Sequence, residues 1–127
     1  MRRPTRRRVS VKVSADGGTV ELRANDKVLG EIARLETHTD QLMSGAFSHS
    51  PAYADYGPLF LQLARAREAG DTVAAASLRE RLEQQGVEVW HNSYEMRIDR
   101  PLSLEVGDGK VHFAPNDAFL MMRTGGL

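Results

Sequence analysis

The chain reads as an α+β domain: an N-terminal β-hairpin that grows to three strands if its alternation continues, a central antiparallel helical pair, and a C-terminal antiparallel β-meander. Three observations predict this. Apolar and polar residues alternate near both ends of the chain, as in half-buried strands, while apolar residues between them recur at helical spacing. Clusters of Gly, Asp, Asn and Pro separate the runs and supply turns. Helices grouped between strands, rather than alternating with them, go with helices packed on one face of a mainly antiparallel sheet.

Val9, Val11 and Val13 alternate with Ser10, Lys12 and Ser14. Ala15-Asp16-Gly17-Gly18 then turns the chain, and Val20, Leu22 and Ala24 resume the alternation, which predicts a hairpin. Asn25-Asp26 turns it again into residues 27–32, where Val28, Gly30 and Ile32 share a face of a third strand. Val28, Ile32 and Leu35 also fit a helical stripe; the strand is the preferred reading. From Glu36 to Tyr56 the pattern weakens. A short helix is expected through Gln41-Leu42-Met43, and Ser44-Gly45 through Ser50-Pro51 read as a loop.

Pro58 suits the first turn of a helix, where its missing N–H needs no partner, and Phe60, Leu63 and Ala64 follow at helical spacing as far as Ala69. Gly70 caps that helix in a left-handed conformation, and Asp71 caps the next, whose stripe is Ala74, Leu78 and Leu82 before Gly86. Short links of this kind join antiparallel helices. Period two then returns in Val87 and Val89, in Tyr94, Met96 and Ile98, in Leu102, Leu104 and Val106, and in Val111 and Phe113. His91-Asn92-Ser93 and Gly107-Asp108-Gly109 supply turns, and Arg100-Pro101 breaks the run between the middle strands. The apolar run Ala118-Phe119-Leu120-Met121-Met122 is either a last core strand or a contact surface.

The sequence has 127 residues, 41% hydrophobic and 27% charged, which suits one domain over residues 9–127 preceded by a flexible arm of residues 1–8. No apolar run is long enough to span a bilayer, and the N-terminal arginines are not followed by a secretory apolar stretch, so an intracellular, cytoplasmic protein is expected. Cysteine is absent, which excludes disulfides, thiolate metal sites and a cysteine nucleophile. Basic and acidic residues balance at 17 each, yet Arg2, Arg3, Arg6, Arg7 and Arg8 all fall in the arm. The remainder is therefore mildly acidic.

Candidate chemistry is sparse. A nitrogen and oxygen metal site would have to gather His38, Asp40 and His49 or another of His91 and His112, and no compact ligand spacing occurs, so neither a metal nor a cofactor is expected. His112 falls between Val111 and Phe113 and should face solvent; His91, at a turn, can be satisfied by backbone groups. Ser44, Ser48 and Ser50 surround His49 with Asp55 nearby, but the strand, GxSxG turn and helix that would expose a serine nucleophile are lacking. Gly17-Gly18 and Gly107-x-Gly109 open no helix and read as hairpin turns rather than phosphate loops.

Residues 63–89, LARAREAGDTVAAASLRERLEQQGVEV, hold an arginine-bearing first helix, a Gly-Asp link, an alanine-rich second helix with Leu78-Arg79, and a close through Leu82 to Gly86-Val87. In pattern this resembles the small helical hairpin at the C-terminal end of many cysteinyl-tRNA synthetases. Val73 replaces a usual aromatic residue there, Ser77 a frequent acidic one, and no synthetase catalytic signature is present. The resemblance covers about a fifth of the chain. It implies a local helical hairpin, and no activity is carried over with it.

The expectation is a small non-enzymatic binding or accessory domain acting through protein–protein contacts, with a protein partner or as a homo-oligomer. Tyr53, Tyr56, Phe119, Leu120, Met121 and Met122 are its candidate interface, because aromatic and methionine side chains give large adaptable contact area. The alternative is nucleic-acid binding, with Arg2, Arg3, Arg6, Arg7 and Arg8 on phosphates. A third reading, a small hydrolase or metal-dependent enzyme, requires His38, Asp40 and His49 to converge.

Overall fold

Asn25, with φ of 56°, opens the turn that folds β1 (Val20–Ala24) back onto β2 (Lys27–Thr39). The computed structural model describes residues 19–39 and 41–124. Val20, Leu22 and Ala24 are buried and Glu21 and Arg23 are half-buried on the other face, as the alternation requires. β1 has β2 on one edge and β4 (Val87–His91) on the other, both antiparallel. The first half of the expected N-terminal hairpin, residues 9–14, lies outside the described residues, as does the boundary at residue 8.

The third strand is present, not a helix, and it runs on to Thr39. A shift in pairing between Leu22 and Arg23 inserts Leu29 as an extra residue, so Leu29 is buried while Val28 is exposed and does not share the face of Gly30 and Ile32. A second shift follows Ala33, where Arg34 takes φ of 55°.

The helix expected at residues 41–43 and the loop expected at 44–50 are both replaced by β3 (Leu42–His49). Small residues in this strand hid it from periodicity, and the packing shows why they are small. A Cβ on Gly45 would lie 2.5 Å from Ile32 Cγ2, and one on Gly30 would lie 2.5 Å from both Phe47 Cε1 and the Ser48 carbonyl oxygen. Close approach of β2 and β3 therefore demands glycine at both positions.

A short 3-10 turn (Pro51–Asp55) leads into α1 (Gly57–Glu68) and α2 (Thr72–Gln84), the helical pair the sequence predicts. Gly70 at φ 72° and the bond from Asp71 N–H to the Ala66 carbonyl close α1, and the Asp71 carboxylate accepts from Ala74 N–H at 3.0 Å to open α2. Leu59, Phe60, Leu63 and Ala66 of α1 and Ala75, Leu78 and Leu82 of α2 join the apolar cluster under the sheet.

The C-terminal strands do not form one meander. The strands β5 (Met96–Arg97), β6 (Glu105–Gly107) and β7 (Lys110–Phe113) follow β4, and the sheet order is β5-β4-β1-β2-β3-β7-β6, antiparallel throughout. Two hairpins, β4–β5 and β6–β7, thus sit at opposite ends of one sheet. Pro101 and Leu102, the latter at φ 67°, prevent the chain between them from continuing as strand. The sheet curls so that its far strands approach. Asp99 bridges to Pro115, Asn116 N–H donates to the Ile98 carbonyl at 2.8 Å, and Arg100 N–H donates to the Ala114 carbonyl at 2.7 Å.

Residues 117–124 form a helix, α3 (Asp117–Thr124), not a final strand. Asn116 starts it: its Oδ1 accepts from Phe119 N–H at 2.8 Å while its Nδ2 donates to the Arg97 carbonyl at 2.8 Å. Among the described residues, no helix is long and apolar enough to cross a membrane.

Candidate functional site: an aromatic groove beside α1

A groove runs between α1 and the β6–β7 hairpin, and residues of β3 and the 3-10 turn, which the sequence left weakest, complete its lining. β3 brings Phe47 and His49 to one end of it, the 3-10 turn brings Tyr53, and α1 lays Phe60, Leu61 and Ala64 along one side. Val106 and the Gly107-Asp108-Gly109 turn form the opposite wall. The wider part encloses about 430 Å³, within the range of small-molecule and peptide-anchor sites, and a narrower extension of about 140 Å³ continues past Glu105 and His112.

Stacked rings make the floor. Tyr53 lies parallel to Phe60 with centroids 5.8 Å apart, stacks on His49 at 5.4 Å, and meets Phe47 edge-on at 5.1 Å. Burial pushes the Tyr53 phenol above its ordinary value, so it stays neutral at physiological pH. Leu61 adds exposed apolar surface, 52% accessible. Around this floor stand Arg65, Glu68 and Asp108, while Arg67 is held by Glu105 at 2.9 Å. Arg79 binds the same Glu105 oxygen at 2.8 Å, which ties β6 to both helices.

The six interface candidates separate. Tyr53 is in the groove floor, half-buried; Tyr56, 8% exposed, is packed in the core at the start of α1. Phe119 is fully buried, within 6.0 Å of the rings of His91 and Tyr94. Leu120 is half-buried, and Met121 and Met122 are exposed at 70% and 41% on α3. Of these residues only Tyr53 lines the groove. Arg2, Arg3, Arg6, Arg7 and Arg8 lie outside the described residues.

His38 and His49 lie at opposite ends of β3. His38 Nε2 is 2.7 Å from Ser44 Oγ near the tip of the β2–β3 hairpin, whereas His49 is at the other end of β3, opposite Gly30. Asp40 lies outside the described residues. Among the described residues no three His, Cys, Asp or Glu side chains are placed to hold a metal ion. Ser44 is buried, and Ser50 donates its hydroxyl to the Val28 carbonyl at 2.7 Å, so neither is presented to His49. His91 is buried and stacked on Tyr94 at 4.2 Å, and its Nδ1 faces Tyr94 N–H at 3.4 Å. His112, half-buried, is directly opposite Ser44 and Glu105.

A second polar cluster lies at the other end of the sheet, where β5 meets α2. Arg97 donates to both Glu83 oxygens at 2.8 Å and to Asp99 at 2.9 and 3.1 Å, and Asp99 also accepts from Val89 N–H at 2.9 Å. The Arg97 hydrogen bonds hold the Glu83 carboxyl below its ordinary value, while burial pushes that of Asp99 up. Arg23 stands over the Trp90 ring at 4.9 Å and is itself bound by Glu21 at 3.0 Å.

Among the groove residues, Phe47, Gly57 and Leu61 were not singled out by the sequence, and Val106 was read there only as a strand residue. Their signal was faint: Leu61 is an apolar residue off the buried stripe of α1, and Val106 ends an alternating run beside a turn. Compared with protein-family models, with curated proteins and with solved structures, the chain matches none.

Proposed function

We propose that this chain is a non-enzymatic binding domain that acts through protein–protein contacts, and that the groove beside α1 is where it does so. The observation that carries the reading is the stacked floor of Tyr53, Phe60 and His49 with exposed Leu61 next to it and ionised groups only at the rim. Aromatic surface rimmed by polar groups is characteristic of contact sites. The charge pattern of the body supports the same choice over nucleic acid. Arg23, Arg67, Arg79, Arg97 and Arg100 are each engaged by a carboxylate, which takes about half of the body's described cations away from phosphates.

Selection of random linear heptapeptides displayed on phage, on the wild-type chain with counter-selection on Ala64→Arg, tests the reading. Ala64 lines the groove on a helix, where arginine is well tolerated, so the variant fills the groove and keeps the fold. Peptides enriched on the wild type and at least tenfold weaker on Ala64→Arg are the expected result. Enrichment of none, or equal binding to both chains, contradicts it.

A further inference from the structure

The geometry points to the side chain of a protein partner's tryptophan or tyrosine as the group this groove receives, its ring in the wide part and its N–H or O–H toward the narrow end; the inference rests on the groove being a protein-contact site. Phe47 and Tyr53 line the wide part with Leu61 and Ala64 of α1, and Val106 stands across from them. The planes of Phe47 and Tyr53 meet at 66°, so together they offer a face and an edge. Aromatic groups prefer offset-stacked or edge-on contact, and a third ring finds both here.

Gly107 sets the width. It does not take a positive φ, unlike Gly109 at 74°, and a Cβ on it would meet no atom within 4 Å, unlike one on Gly30 or Gly45. Neither turn geometry nor crowding therefore calls for glycine at this position. Successive strand residues alternate between faces, so Gly107 shares a face of β6 with Glu105. Glu105 and its cross-strand neighbour His112 both line the narrow part, so this face looks into the groove and a side chain at 107 would take up its space. On the α1 side, Ala64 lines both parts. A slot with a methyl group on one wall and bare backbone on the other suits a flat ring better than a branched aliphatic side chain.

The narrow part is polar, yet its charges cancel. Arg67, Glu68, Glu105 and Asp108 line it, Arg65 stands on the wide part, and Arg79 shares Glu105 with Arg67, which makes three ionised groups of each sign among the described residues. A balanced rim draws neither a cation nor an anion inward, so an uncharged anchor is complementary to it. Glu68 and Asp108 have no ion pair among the described residues and can accept hydrogen bonds. Indole N–H and phenol O–H supply a donor without a charge, whereas phenylalanine and leucine supply none.

NMR titration of the full ¹⁵N-labelled chain with the N-acetyl amides of tryptophan, tyrosine, phenylalanine and leucine tests this, beside the heptapeptides from the selection above. The tryptophan and tyrosine amides should shift the Leu61, Ala64 and Gly107 resonances and bind about threefold more tightly than the phenylalanine amide and about tenfold more tightly than the leucine amide. Gly107→Val, at a strand position that suits a branched side chain, should keep the dispersed spectrum and weaken the tryptophan amide about tenfold. The selected heptapeptides should share a Trp or Tyr whose replacement by Ala weakens them at least about tenfold, and they should bind more tightly than any single amide. Groove-dependent peptides with no shared Trp or Tyr, a leucine or phenylalanine amide that binds as well as the tryptophan amide, or unchanged binding to Gly107→Val overturn the aromatic anchor while the groove reading stands. An amide as tight as the best peptide makes the groove a site for a free aromatic molecule and overturns the protein anchor. A selection that yields no groove-dependent peptide overturns both.

Discussion

Tyr53 and Phe60 stack with their planes 16° apart, and this contact joins the turn after β3 to the first helix. It gives the groove a floor and fixes the angle at which α1 leaves the sheet. Tyr53→Ala removes three ring contacts at once and should cost about 2 to 3 kcal/mol, against well under 1 kcal/mol for Tyr53→Phe, measured by urea unfolding. Equal effects of the two variants would place the contribution in the hydroxyl instead.

The phenol itself makes a pH prediction. Burial raises the Tyr53 pKa in the folded chain, so its contribution to stability is intact below the ordinary tyrosine value of 10.0 and is lost as pH rises beyond it. The Tyr53 ¹³Cζ resonance should titrate above that value, and Tyr53→Phe should lose less stability between pH 9 and 11 than the wild type. A midpoint at or below 10.0 contradicts a desolvated phenol.

Glu83 carries the opposite sign. Its pKa is lowered by the two hydrogen bonds from Arg97, so its stabilisation is complete above the ordinary value of 4.5 and is lost as pH falls through the lowered one. Glu83→Gln should reduce stability by about 1 kcal/mol at pH 7 and by much less at pH 3. Thermal unfolding of both chains from pH 3 to 7 checks this; a difference that stays constant with pH would mean the charge is irrelevant.

Gly30 and Gly45 should not tolerate a methyl group. A Cβ on Gly30 meets a backbone oxygen at 2.5 Å, which no rotamer change relieves, so Gly30→Ala should cost about 2 kcal/mol or more. Gly107, where a Cβ meets nothing within 4 Å, is the control, and Gly107→Ala should be nearly neutral by the same measurement.

Asn116 holds α3 by both ends of its amide. Asn116→Ala should cost about 1 to 2 kcal/mol through the lost cap and speed amide exchange throughout residues 117–124. Phe119→Ala should cost more, about 3 kcal/mol, because its ring is fully buried. If Phe119→Ala were mild, this residue would return to the list of contact-surface candidates.

How much of this was legible in the sequence depended on what each residue contacts. The helical pair was plain because Gly70, Asp71 and the Leu63, Leu78 and Leu82 spacing are local signals. β3 was misread because Gly45, Ser44 and Ala46 are small for a reason that lies in another strand. The division of the C-terminal strands between the two ends of the sheet was likewise set by distant partners, β1 for β4 and β3 for β7. α3 was missed because Asn116 caps it while bonding to Arg97, 19 residues earlier. At the groove, Tyr53 was legible as an aromatic residue on the segment leading to a helix start.

Photo-cross-linking in the cell tests most directly whether the groove is where this chain meets other proteins. A benzophenone side chain replacing Leu61, in the groove, is compared with one replacing Val73, 80% exposed on α2 and outside the groove lining. Discrete cross-linked proteins from position 61, abolished by Ala64→Arg and absent from position 73, are the expected result. Cross-linking that is no stronger at 61 than at 73, or that survives Ala64→Arg, would contradict the groove as the binding site.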